Sequence, residues 1–86
     1  MQDPLMEFSN RIGNELFRVL VQRALEKLPE KSDFDRLTAM MGATLIVLAE
    51  VLRGPIEEGQ DAEKLIDVSS KWLRKFLEPI APKVET

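Results

Sequence analysis

The residues able to do chemistry fall into three charged clusters. Glu57, Glu58, Asp61 and Glu63 surround Gly59, and oxygen ligands of this kind suit Ca²⁺ or Mg²⁺. Their spacing matches no calcium-binding loop. A helix start explains two of them instead, with Asp61 as the cap and Glu63 in the first turn. Neither a metal nor a cofactor is therefore expected. Lys64, Lys71, Arg74 and Lys75 form a basic cluster. Cations are favoured in the last turn of a helix, and contact with an acidic partner is the competing reading. Arg11, Arg18 and Gln22 share a polar side, where an arginine fork would suit phosphate or carboxylate. However, Glu7, Glu15 and Glu26 interleave at helical spacing, so the ion pairs Glu7–Arg11, Glu15–Arg18 and Arg23–Glu26 are expected there.

The missing residue types say as much. The 86 residues include no His, Cys or Tyr, which removes the commonest general base and the thiol nucleophile. No glycine-rich phosphate loop, nucleophile elbow or carboxylate set among apolar residues is visible, so an enzyme is not expected. A formal charge of −3 denies the chain the positive field that draws phosphates, and nucleic-acid binding is not expected either. No charged n-region followed by an apolar run opens the sequence, and a cytoplasmic protein is the expectation.

Three helices must position these groups. The chain is organised around Leu37 to Leu52, with no charged residue from Leu37 to Ala49. At helical spacing Leu37, Met41, Leu45, Leu48 and Leu52 fall on one side, Met40, Val47 and Val51 widen it, and Ile46 lies nearly opposite. A helix apolar around most of its circumference calls for neighbours on several sides. The run is short for a bilayer and bounded by charges, so no membrane span is expected. Asp3-Pro4 starts the first helix and Pro29 ends it. Ser32, with Asp35 in a capping-box position, starts the second. Gly54-Pro55 is expected to stop it. Asp61 starts the third, which Pro79 ends. The pattern predicts one helical domain over residues 1–80, with helices at about 4–27, 33–53 and 61–78 and a flexible tail at 81–86.

The fold expected is all-α, a three-helix antiparallel bundle with a nearly all-apolar central helix. Mid-helix Gly42, with Ala39 and Ala43, suggests close approach of another helix backbone, since Gly costs about 1 kcal/mol there relative to Ala. The first helix carries two apolar stripes. Leu5, Phe8, Ile12, Leu16, Val19 and Leu20 make one; Phe17, Val21, Ala24 and Leu28 make a second, displaced by about 100°. Two stripes imply two neighbours. A homodimer is the expected answer, with Phe17, Val21, Ala24, Leu28, Met40 and Trp72 at the interface. The expected function is a non-enzymatic protein–protein interaction module of adaptor, chaperone or inhibitor type. The alternative is a small-molecule binder with a pocket near Gly42 and Trp72.

Overall fold

A computed structural model of the chain describes residues 3–80. The expected tail at 81–86 lies outside the described residues. Three helices, α1 (Pro4–Lys27), α2 (Asp33–Glu57) and α3 (Ala62–Leu77), make up the chain, with no strand among the described residues. The protein is all-α.

Each helix start follows from its cap. The Asp3 carboxylate accepts the Leu5 N–H at 3.0 Å, with Pro4 in the first turn, where its missing N–H is not needed. Ser32 Oγ accepts the Asp35 N–H at 3.1 Å. Asp61 accepts from the backbone N–H groups of Glu63 at 3.0 Å and Lys64 at 3.4 Å. These bonds satisfy donors that have no partner inside the helix.

The end of α2 departs from expectation. Gly54-Pro55 does not stop the helix, which runs on to Glu57. A glycine stop needs a left-handed backbone, and among the described residues Gly59, with φ of 102°, is the glycine that adopts one. The Gly59 N–H donates to the Ile56 carbonyl and the Gln60 N–H to the Pro55 carbonyl, both at 3.0 Å. This pair of bonds is the Schellman ending. Pro55 is tolerated because it falls in the final turn, where the helix loses one backbone bond and has little length left to kink.

The chain divides into two compact units, Met1–Val47 and Leu48–Thr86. The first holds α1 and the opening half of α2; the second holds the rest of α2 and α3. In the first, Ala24 is the one buried residue among those described, with Leu20, Val21, Leu28, Met40 and Ala43 half-buried. In the second, Leu52, Ala62, Leu65 and Ser69 are half-buried and none is buried. Within the first unit the neighbours expected on several sides of α2 reduce to one helix, and Leu37, Met41, Leu45 and Ile46 each stay half or more exposed. In its own unit α1 covers one side of α2 only.

Candidate functional site: the open apolar face of the first unit

A groove runs between α1 and α2 in the first unit. Gly13, Leu16, Phe17, Val19, Leu20 and Arg23 line it from α1, and Ala43, Thr44 and Val47 from α2; its volume is about 430 Å³. Its lining is mostly aliphatic and aromatic, with the small residues Gly13 and Ala43 and the hydroxyl of Thr44 among them, and Arg23 is the one ionised group on it. Arg23 reaches Glu26 at 3.5 Å, and Gln22 donates to the same Glu26 at 3.0 Å. Arg23–Glu26 is the one of the three expected α1 ion pairs that forms within 4.0 Å among the described residues.

One side chain fixes the turn that brings α1 and α2 together. Arg36, 18% exposed at its side chain, sits in the second turn of α2 and reaches back. Its guanidinium donates to the carbonyls of Leu28 at 3.0 Å and Lys31 at 2.6 Å, and to the Asp33 carboxylate at 2.7 Å. The last carbonyls of a helix have no partner of their own, and a planar fork of donors can take several at once. Helical periodicity along α2 does not reveal this role of Arg36. The available signal was an arginine just after a turn that leaves the carbonyls of a finished helix unpaired.

The residues expected at an interface do not share one environment. Ala24 is buried within the chain, and Val21, Leu28 and Met40 are half-buried. Phe17 is 58% exposed and lines the groove. Trp72 belongs to the second unit, 44% exposed, with its ring 5.9 Å from that of Phe76 and Lys75 Nζ 6.0 Å from its centroid. Such an arrangement suits a cation–π contact at a solvated site. The displaced stripe of α1 is thus the more withdrawn one, while Leu5, Phe8, Leu16 and Val19 of the first stripe are each more than half exposed. Both stripes were visible in the sequence; which of them faces α2 was not.

Two other expectations meet different surroundings. Beyond its own helix backbone, nothing in the first unit comes within 4 Å of where a Cβ on Gly42 would stand, so close approach of α1 does not explain this glycine. The pocket anticipated near Gly42 and Trp72 is not the groove described above, which Ala43 lines and neither Gly42 nor Trp72 does. At the acidic knot, Asp61 is engaged as a cap, and no group of three or more metal-ligating side chains forms among the described residues. α2 is long and apolar enough to cross a membrane, with a mean hydropathy of 1.5 over its most apolar window and none of that window buried. No family model, curated protein or solved structure matches the chain.

Proposed function

We propose that this protein is a non-enzymatic interaction module, of adaptor, chaperone or inhibitor type, whose apolar helical surface is completed by another protein chain. The single observation that carries this reading is the contrast between Ala24, the one buried residue among those described, and the many large apolar side chains left open, from Leu5 and Phe8 on α1 to Ile46 on α2 and Leu73 on α3. A solvated apolar surface of that extent calls for a cover, and on small soluble proteins it usually marks an interface. The antiparallel three-helix bundle and the homodimer both belong to this proposal. In it, short connections fold the helices back on one another, and a second copy hides what one copy cannot. A cytoplasmic setting goes with it.

A protein cover is favoured over a bilayer by the packing of the first unit. Gly13 to Arg23 of α1 lie along Ala43 to Val47 of α2, at the middle of its apolar run. A membrane around that run would enclose Glu15, Arg18 and Arg23 as well, and ionised side chains at mid-bilayer cost about 2.5–3.5 kcal/mol each or more. The groove also falls within the size range of ligand pockets, about 300–1,000 Å³, which is the one observation favouring a small apolar ligand. Affinity purification of the tagged chain from its native host, followed by mass analysis of the complex, tests the module reading. A stoichiometric protein partner, or a second copy of the chain, is the expected result. A chain that purifies alone, stays single at all concentrations and binds no apolar dye overturns it.

A further inference from the structure

We propose that the last two turns of α3 lie on an anionic lipid bilayer, with Trp72, Leu73, Phe76 and Leu77 in the headgroup–hydrocarbon boundary and Arg74 and Lys75 against lipid phosphates. This role belongs to the second unit. It goes beyond the interaction-module reading and needs no protein partner.

Cover runs out along α3. Ala62, Leu65 and Ser69 are half-buried, but every residue from Ser70 to Ile80 is exposed. Four large apolar side chains stand in that half: Trp72 and Phe76, with ring centroids 5.9 Å apart, and Leu73 and Leu77. At 100° per residue they span an arc of about 140°. Arg74 lies about 60° beyond Leu77, and Lys75 about 60° beyond Trp72 on the other side. A cation therefore stands at each rim of the apolar arc. No acidic residue falls between Asp67 and Glu78, and α3 has the sharpest separation of apolar and polar sides of the three helices. Aromatic and leucine side chains on one side with lysine and arginine on the other are the makings of a helix that lies in a membrane interface.

Charge selects the cover. Lys71 points away from the apolar arc and pairs with Asp67 at 3.1 Å. Among the described residues neither Arg74 nor Lys75 has a carboxylate within 4.0 Å. The helix dipole favours bases in a last turn, but it does not set one on each edge of an apolar arc. Long basic stems there can lie along the apolar surface and lift their charges to the headgroups. Trp72 sits on the Lys75 rim, with Lys75 Nζ 6.0 Å from its ring centroid, and indole is enriched at the membrane–water boundary. A protein groove would have to place carboxylates on both rims in register with one helical turn; a bilayer offers hydrocarbon bordered by phosphate at every point. The net charge of −3 does not cancel this attraction. Glu63 and Asp61 lie about 17 and 20 Å from Arg74 along the helix, beyond the screening length of about 8 Å at physiological salt.

Trp72 is the one tryptophan in the sequence, so the full chain reports its own docking. With vesicles of phosphatidylglycerol and phosphatidylcholine in equal parts, the chain is expected to float with the lipid and its tryptophan emission to move to shorter wavelength. With phosphatidylcholine alone, or at high salt, both signals should fall away. Each basic side chain near an anionic surface strengthens binding about fivefold. Arg74→Gln with Lys75→Gln is therefore expected to weaken binding about twentyfold. Gln is a good helix former, and circular dichroism confirms that the variant stays helical. Lys27→Gln with Lys31→Gln makes the same charge change in the first unit and should leave binding within about twofold. No flotation with the anionic vesicles, equal flotation with phosphatidylcholine alone, or equal loss from both double variants overturns the proposal. A chain that stays off the vesicles, but whose Trp72 emission shifts with an acidic protein partner through Arg74 and Lys75, gives this face to a protein instead. None of these outcomes removes the module reading, which fails separately if the chain purifies alone, stays single and binds no apolar dye.

Discussion

The two units of this chain solve the same problem in different ways. In the first, tertiary contacts do the holding: Ala24 is buried, and the Arg36 guanidinium ties the end of α1 to the start of α2. In the second, local chemistry does it. α3 has the sharper separation of apolar and polar sides, an Asp61 cap that takes two backbone donors, an Asp67–Lys71 pair at 3.1 Å and arginine and lysine in its last turn, yet it buries nothing completely. A helix can be well specified by its own sequence and still leave its apolar side open. Packing, not propensity, supplies most helical stability in proteins, and in both units much of the apolar surface that could supply it stays exposed.

Substitutions can break this contrast. The largest effect is expected from Ala24→Asp, which sets an unpaired carboxylate at the one buried position among the described residues. It should cost about 3 kcal/mol or more and abolish amide-exchange protection in α1 and the first half of α2 before that in α3. Arg36→Met keeps much of the stem and removes the fork. The loss of hydrogen bonds to a charged donor should cost about 2 kcal/mol, read as a lower melting temperature, again with the first unit losing protection first. Asp61→Ala acts on the other unit. Removing a cap that serves two N–H groups should cost about 1 kcal/mol and fray the start of α3 alone in exchange measurements. If Asp61→Ala loosened α1 as much as α3, the distinction between the two modes of holding would fail.

The smallest pair of effects concerns the end of α2. Gly59→Ala forces a side chain into a left-handed backbone and should cost about 1 kcal/mol. Gly54→Ala should instead stabilise the chain by about 0.5–1 kcal/mol, because Gly54 is interior helix with open space at its Cβ position. Chemical denaturation resolves the opposite signs. A destabilising Gly54→Ala would restore the earlier stop expected at Gly54-Pro55.

What was legible in the sequence was local. Asp3-Pro4, Ser32 and Asp61 gave the helix starts, and Pro29 gave the end of α1, because each acts on its own backbone within a few residues. The end of α2 was harder to read, since Gly54-Pro55 carries the residue types of a stop without the left-handed geometry, which Gly59 provides. The role of Arg36 was hidden for a different reason: its partners include carbonyls of the preceding turn, and periodicity along one helix cannot see them. The choice between the two stripes of α1 was also beyond the sequence. Both are apolar and of similar length, and only the turn orients one of them onto α2. Of the residues lining the groove, Phe17 belongs to the displaced stripe, and Leu16 and Val19 to the first stripe, most of which the structure leaves open.

Solution mass by light scattering across a dilution series tests most directly whether one copy leaves a surface that another must cover. The expected result is twice the 9.8 kDa chain mass, falling toward the single-chain value as the protein is diluted. A mass of 9.8 kDa at every concentration, with the Leu16 and Phe17 side chains protected from solvent, would contradict it.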